Sequence, residues 1–278
     1  PGTVFLNQIR GIDIVERDND HLWIEVGAGE SWHELVLWSL EQGLSGLENL
    51  SLIPGLAGAA PVQNIGAYGV ELSSVLHSVT TWDTAECRWA VFDRDQCQLS
   101  YRDSRFKSDP DQRHLITSIR LRLNRRFQPQ LSYRGLVEEL HRHRIERPNA
   151  RQVSDAVIRL RQRKLPDPAL EGNAGSFFKN PVVSQEQSDQ LLSRFPDLAN
   201  WRLENGQVKL SAAWMIESCG LKGFRQGDAG VSEKHSLVLV NHGQASGAQI
   251  MNLASSVKKR IHEKFGVLLE QEPVLIEF

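Results

Sequence analysis

From residue 114 to residue 123, Leu115, Thr117, Ile119, Leu121 and Leu123 recur at every second position, the period of a strand with one buried face. Shorter runs predict strands over residues 4–9, 12–16, 22–26, 75–83 and 87–92. Between 31 and 40 the period becomes helical. Trp32, Leu35, Val36 and Leu40 share one face, Ser31 and Glu34 have the spacing of a capping box, and Gly43 stands where glycine ends a helix. The stretch from 128 to 148 holds Tyr133 in a Ser-Tyr-Arg-Gly turn and then His141, Arg142, His143 and Arg144, which reads as a solvated face. Ser154 is the expected N-cap of a helix with Ala156, Val157 and Leu160 inward. Its end carries Arg159, Arg161, Arg163 and Lys164, where cations suit the helix dipole. Leu165-Pro-Asp-Pro168 then breaks it and marks the expected domain boundary. Beyond lie expected helices over 184–195, 212–218 and 247–265, and strands over 207–210, 236–241 and 267–278. Strands and helices mix without strict βαβ order, which makes the fold class α+β.

Composition narrows this picture only a little. The chain has 278 residues, 40% hydrophobic and 24% charged, enough for two globular domains. A net charge of -2 gives neither sign the dominance that a nucleic-acid or acidic-membrane partner requires. The three cysteines, Cys87, Cys97 and Cys219, are odd in number and lack metal-site spacing, so a reducing cytoplasm is expected and no metal site. No apolar run reaches membrane-spanning length. The first residue is Pro1 and the chain enters at once on a strand-like run, the pattern expected of a piece of a longer chain.

Residues 51–72, SLIPGLAGAAPVQNIGAYGVEL, change it most. Glycines at 55, 58, 66 and 69 and prolines at 54 and 61 surround a single charge, Glu71. With no Lys or Arg, such a loop can hold an anion only through backbone N–H groups. Ile53, Leu56, Val62, Ile65 and Tyr68 are more apolar than a solvated loop tolerates, so the loop is expected to form a buried cradle for a large cofactor. Gly27-Ala-Gly29 lacks the third glycine of a dinucleotide fingerprint, Trp32 standing in its place, and is assigned to tight strand–helix packing.

A second unusual stretch is GNAGSFFKNP, residues 172–181. Phe178 stands where a hydrolase elbow needs glycine. On base rates Ser176 is a turn or cap residue. As a proton donor it needs neighbours that stabilise its alkoxide, and Lys164, Lys179 and Asn180 supply donors.

IPGLAGAAPVQNIGAYG, YRDSRFK, KLPDP, GNAGSFFKNP and the glutamate of LLEQEP follow one another in this order. Together they resemble the bacterial UDP-N-acetylenolpyruvoylglucosamine reductases (UDP-N-acetylmuramate dehydrogenases), and the resemblance runs from residue 2 onward. Tyr133 resembles the tyrosine of the family's first type, which carries it on a loop over the substrate. The resemblance implies a cytoplasmic, monomeric oxidoreductase of peptidoglycan precursor synthesis. Its fold would be an FAD-binding domain of the vanillyl-alcohol-oxidase/PCMH-like type with a smaller α+β substrate-binding domain. The implied domains are 1–165 for FAD, with an N-terminal subdomain missing, 166–266 for substrate, and 267–278 as a terminal strand carrying a catalytic glutamate. NADPH would reduce bound FAD, which would pass hydride to the enolpyruvyl β-carbon of a UDP-sugar. Ser176 would protonate the α-carbon, with Arg102 and Glu272 acting on the developing enol. Arg102 would otherwise read as a surface arginine, and Glu272 as a solvated acid. Tyr133, Lys164 and Asn180 would hold the UDP-sugar. The backbone of Pro54, Gly55 and Gly58, and of Asn64, Ile65, Gly66, Ala67, Tyr68 and Gly69, would wrap FAD, with Tyr101, Arg102 and Ile116 against it.

The chain departs from the family pattern in three respects. Members of the family carry an N-terminal segment with a Gly/Ser/Asn loop that helps hold the FAD pyrophosphate, and the resemblance implies that the sequence begins after it. Trp201 and His235 replace a tyrosine and a glutamine expected near the substrate, and Ser232 replaces a histidine. In Gln271-Glu272-Pro273 the proline follows the glutamate instead of preceding it. Two other functions stay open on the residues alone. One is a truncated, non-catalytic nucleotide-sugar-binding remnant. The other is a flavin oxidase of similar fold, disfavoured because residues 51–72 hold no His or Cys for a covalent flavin link.

Overall fold

The computed structural model describes residues 4–111 and 113–276. Two compact units divide the chain, residues 1–161 and 162–278. Helix and strand are mixed throughout, as the α+β class requires.

Unit 1 is built on strands β1 (Ile12–Arg17) and β2 (His21–Gly27), helix α1 (Trp32–Glu41), and the short hairpin β3 (Gly66–Ala67) and β4 (Val70–Glu71). Strands β5 (Leu76–Asp83) and β6 (Arg88–Asp93), the one-turn helix α2 (Arg105–Ser108) and strand β7 (His114–Asn124) follow, then helices α3 (Arg134–Arg142) and α4 (Ala150–Lys164). Five strands form an antiparallel sheet in the order β1-β2-β7-β5-β6. On β7 the alternation holds for Ile119, Leu121 and Leu123, all buried, but not for its start. There Leu115 is 43% exposed and Ile116 only 7%. The register slips between Thr80 and Thr81, which pair with Ser118 and Ile116, so Thr117 is the extra residue of a bulge. A bulge changes which face the following side chains occupy, and here it turns Ile116 inward.

The strand expected over residues 4–9 is not formed. Val4, Phe5 and Leu6 are exposed, and the chain beyond them runs beside β2 without a ladder. Gly29 N donates to Ile9 O (2.7 Å), Gly27 N to Gly11 O (2.9 Å), and the Asn7 side chain to Ile116 O (2.9 Å). A Cβ on Gly29 would stand 2.8 Å from Asn7 O, and one on Gly27 would meet Ile9 O. These glycines are therefore required by the close approach of residues 7–10, which corrects their assignment to strand–helix packing.

Ser31 caps α1 by accepting from Glu34 N, and Trp32 is buried with its indole N–H on Leu50 O (3.1 Å). Helices α3 and α4 add detail and one correction. His141, Arg142, His143 and Arg144 are exposed, as a solvated face requires, but the stretch before them forms an amphipathic helix whose Leu136 and Leu140 pack on Val153, Ala156, Val157 and Leu160 of α4. Ser154 is not the N-cap of α4. Asn149 caps it through reciprocal bonds with Gln152, both 2.9 Å. Ser154 lies buried one turn in, with its Oγ 2.8 Å from Ser51 Oγ.

Unit 2 contains β8 (Gly172–Ser176), β9 (Val182–Val183), α5 (Gln185–Arg194), β10 (Asn200–Arg202), β11 (Val208–Leu210) and α6 (Ala212–Ser218). It continues with β12 (Arg225–Gln226), β13 (Ala229–Val231), β14 (Val238–Asn241) and α7 (Gly247–Phe265). Its sheets are antiparallel, ordered β12-β13-β14-β8 and β10-β11-β9. Helix α7 opens on a complete capping box, Ser246 with Gln249, and closes on Gly266 at φ +68°. Its Leu253, Ala254, Val257 and Ile261 join Phe178, Leu210, Met215 and Leu239 in one core. The last strand expected over 267–278 is not formed among the described residues, and 277–278 lie outside them. One isolated bridge, Phe178 with Gln271, holds this stretch instead. Among the described residues no helix is long and apolar enough to cross a membrane.

Candidate active site

In unit 1 the Gly-rich loop follows α1 and is stitched to β2 and α1 through its backbone. Trp32 N donates to Gly55 O (3.0 Å), Ala57 N to Glu30 O (2.8 Å) and Gly58 N to Ala28 O (2.9 Å). Three of its glycines are demanded by protein neighbours. A Cβ on Gly58 would lie 2.5 Å from Ala28 Cβ, one on Gly66 would lie 2.9 Å from Glu71 Cγ, and one on Gly69 would meet the Ser132 hydroxyl. Gly55 differs. It is exposed at φ +107°, and open space lies where its Cβ would stand. A bare backbone face of that kind admits the close approach of a bulky ligand, so the loop fits a large cofactor such as FAD.

Asn64 is buried at φ +44°. Its Nδ2 donates to Glu71 Oε2 (2.9 Å) and Ser100 O (3.1 Å), and its Oδ1 accepts from Ser73 N (3.0 Å). The side chain is thus committed inside the fold, and only its backbone can serve a ligand. Ile65 closes a turn through Ile65 N to Ala60 O (3.1 Å), and Pro54 is exposed beside Gly55. Ala67 pairs with Val70 in the tight hairpin that carries Tyr68 and Gly69 at its tip. Arg102, at φ +56°, donates from Nη2 to Gly66 O (2.6 Å) and stands 5.3 Å over the Tyr101 ring. Ile116 of β7 is buried in the same core as Ala57, Ala60 and Leu72.

Tyr133 is the N-cap residue of α3, and its ring meets Tyr68 edge-on at 5.1 Å. Tyr68 sits at φ +50°, its carbonyl accepting from Asn49 Nδ2 (2.8 Å). Burial pushes the Tyr68 hydroxyl's pKa up, against the nearby Arg161 guanidinium, which lowers it. Arg161 also donates from Nε to Leu52 O (3.1 Å), and burial pulls the guanidinium below its ordinary value. Sequence reasoning gave Arg161 only a dipole role. Its place one turn after Val157 on the inward face of α4 was the available signal.

Unit 2 brings Ser176, at the end of β8, near the extended stretch that carries Glu272. Ser176 ends β8 opposite Val238 of β14. The next residue, Phe177, donates to Leu237 O (2.7 Å) on one side and accepts from Glu272 N (2.9 Å) on the other. Lys179 follows, its amide on Glu270 O (2.9 Å) and its Nζ 3.1 Å from Glu270 Oε2. Asn180 Oδ1 accepts from Ala212 N (3.0 Å) at the start of α6, and Lys164 is exposed at the end of α4. His235 precedes β14, and its Nδ1 accepts from Leu237 N (3.2 Å), which puts the neutral ring's proton on Nε2. Burial first, and Lys164 second, hold its pKa down. Trp201 is 48% exposed with Lys209 Nζ 5.8 Å from its ring, and Ser232 is buried, accepting from Lys234 N (3.1 Å).

Comparison with known proteins bears on both halves. Residues 2–88 match the FAD binding domain family, and residues 167–276 match the family described as UDP-N-acetylenolpyruvoylglucosamine reductase, C-terminal domain. A UDP-N-acetylenolpyruvoylglucosamine reductase of Xanthomonas campestris is 49% identical over 277 residues, 99% of this chain and 79% of that protein. The enzyme of that name from Pseudomonas aeruginosa is 50% identical over 266 residues, 96% of this chain and 78% of its own length. The crystal structure of the UDP-N-acetylenolpyruvylglucosamine reductase of Thermus caldophilus superposes with a TM-score of 0.59 at 28% identity, covering 89% of this chain and 70% of that one. On this identity and coverage, the chain belongs to the UDP-N-acetylenolpyruvoylglucosamine reductase family, FAD- and NADPH-using oxidoreductases of peptidoglycan precursor synthesis.

Proposed function

We propose that the chain catalyses the reduction of UDP-N-acetylglucosamine enolpyruvate to UDP-N-acetylmuramate, as a monomer in the cytoplasm. When bound, FAD supplies the redox chemistry, taking hydride from NADPH and giving it to the enolpyruvyl β-carbon. The backbone of residues 54–58 and 64–69 holds the cofactor, with Gly55 as its open face and Tyr101 and Ile116 beside it. Arg102 binds the substrate carboxylate through its rigid guanidinium fork, whose Nη2 also donates to Gly66 O. Tyr133, Lys164 and Asn180 hold the UDP-sugar.

Once the β-carbon has gained hydride, the α-carbon needs a proton, and Ser176 Oγ–H gives it. An ordinary hydroxyl is far too weak an acid for this step, so the alkoxide left behind needs polar neighbours. Glu272 works with Arg102 on the enolate oxygen. One observation above all supports this reading: Ser176 and Glu272 lie 96 residues apart in sequence, yet Glu272 N bonds to the carbonyl of the residue after Ser176.

The test is the visible spectrum of the purified chain with added FAD, followed by NADPH and then the enolpyruvyl substrate. The expected result is a bound-flavin spectrum that bleaches with NADPH and recovers with substrate. A protein that takes up no FAD, or one that bleaches and is never reoxidised by substrate, refutes the proposal.

A further inference from the structure

Asn49 is a buried amide that joins two segments far apart in the sequence. It lies in the single helical turn Glu48–Leu50, just before the Gly-rich loop, and is 1% exposed. Its Nδ2 gives both hydrogens to backbone carbonyls, Tyr68 O at 2.8 Å and Gln130 O at 2.9 Å. Its Oδ1 is buried and has no hydrogen-bond partner among the described residues. A buried acceptor left bare costs free energy, so the position is held by asparagine for its two donors. Turning the amide over would set Oδ1 against both carbonyls, which fixes its orientation. The turn that carries it is firm. Trp32 donates its indole N–H to Leu50 O (3.1 Å), Ser51 Oγ donates to Glu48 O (2.7 Å), and Gly46 N donates to Glu48 Oε2 (2.7 Å).

The two carbonyls belong to the segments that meet at Tyr133. Tyr68 stands at the tip of the β3–β4 hairpin, and its ring meets the Tyr133 ring edge-on at 5.1 Å. Gln130 precedes Tyr133 on the loop into α3, and between them Leu131 packs with Tyr68 against the core of α3 and α4. A Cβ on Gly69 would meet the Ser132 hydroxyl, so the hairpin tip and the residue before Tyr133 are in close contact. Packing of this kind sets a separation but little orientation, whereas two hydrogen bonds from one rigid amide set both.

We propose that Asn49 is a positioning residue for substrate recognition, its amide tying the Tyr133 loop to the cofactor hairpin so that Tyr133 is held where the UDP-sugar binds. This rests on the reading of Tyr133 as a substrate ligand. Asn49 is enclosed by protein and touches neither substrate nor cofactor. Its effect passes through Tyr68 and residues 130–133.

The experiment is a double-mutant cycle on the FAD-loaded full chain, with Asn49→Ala, Tyr133→Phe and the two combined, and with Asn49→Ser as a milder change. KM and kcat for the enolpyruvyl UDP-sugar, the rate of flavin reduction by NADPH and the melting temperature are measured for each. Asn49→Ala should raise KM roughly ten-fold, as loss of one hydrogen bond to substrate does, and leave kcat and flavin reduction within about three-fold of wild type. Tyr133→Phe keeps the ring, removes the hydroxyl and should raise KM by a similar factor. The combined variant should be little worse than either alone, because Asn49 acts through that hydroxyl. If the two KM effects multiply, or if Asn49→Ala leaves KM unchanged, Asn49 only stabilises the fold, and the inference fails while Tyr133 keeps its role. An unchanged KM in Tyr133→Phe, or a wild-type chain that takes up no FAD, overturns the reading of the site and the inference with it. If Asn49→Ala does not fold, Asn49→Ser, whose hydroxyl donates to one carbonyl at most, takes its place in the cycle with the same outcomes.

Discussion

At the scale of single residues, chemistry follows from enclosure. Cys97 is buried, and loss of hydration pushes its thiol up to about 12, whereas Cys87 lies exposed. Only the thiolate attacks disulfide reagents. Thiol titration of the native protein at pH 8 should therefore modify Cys87 rapidly and leave Cys97 unmodified until denaturant is added. Rapid native modification of Cys97 would show that its enclosure is wrong. Ser176 is the residue on which turnover depends. Ser176→Ala should leave flavin reduction by NADPH near normal and slow reoxidation by the enolpyruvyl substrate by about two to four orders of magnitude, the usual range for removing a proton donor. Stopped-flow absorbance separates the two half-reactions, and an unchanged second one removes Ser176 from the mechanism.

At the scale of elements, buried polar groups bind pieces that the hydrophobic pattern alone would leave loose. Glu139 on α3 is buried, with Arg142 at 2.9 Å and His143 and Arg159 each at 3.3 Å. Glu139→Ala removes the buried carboxylate that Arg142 and Arg159 both meet and should cost about 3 kcal/mol, the lower end for a broken buried pair because Arg142 reaches water. Chemical denaturation measures it, and a cost below ~1 kcal/mol contradicts the assignment. Because Tyr133 caps the same helix, that variant should also raise KM more than it lowers kcat. The Gly-rich loop makes a second case. Gly58→Ala forces a methyl against Ala28, so it should destabilise by roughly 1–3 kcal/mol through overpacking. Helix α3 was hidden in the sequence because its polar face is so charged that Leu136 and Leu140 alone mark its inner side. The bulge at Thr117 was hidden because a register shift is a property of two strands, and Leu115 keeps the alternation on paper while Ile116 takes the inside.

At the scale of the whole molecule, acid should act through groups that folding keeps uncharged. Burial holds His33 and His235 below their ordinary value of 6.5. A depressed folded pKa means the unfolded chain binds protons first. The stability from each group is present above pH ~6.5 and is lost as pH falls through the folded value. Melting temperature should therefore decline from pH 7.5 to pH 5, and His33→Gln should flatten that decline. A flat profile for the wild type would contradict both shifts.

Much of this molecule was legible before any folding was considered. Helix α7 was bounded from sequence as observed, because Ser246, Gln249 and Gly266 are local signals that act within one turn. The motifs at 51–72 and 172–181 were equally legible, since glycine, proline and uncharged polar residues at such density carry their own backbone requirements. What sequence could not determine is which atoms meet across long stretches of chain. The approach of residues 7–10 to Gly27 and Gly29, the pairing of Phe177 with residues near 272, and the bond from Arg161 to Leu52 O are such meetings. Each depends on the burial and register of distant segments, quantities that exist only once the tertiary structure has removed water from between them.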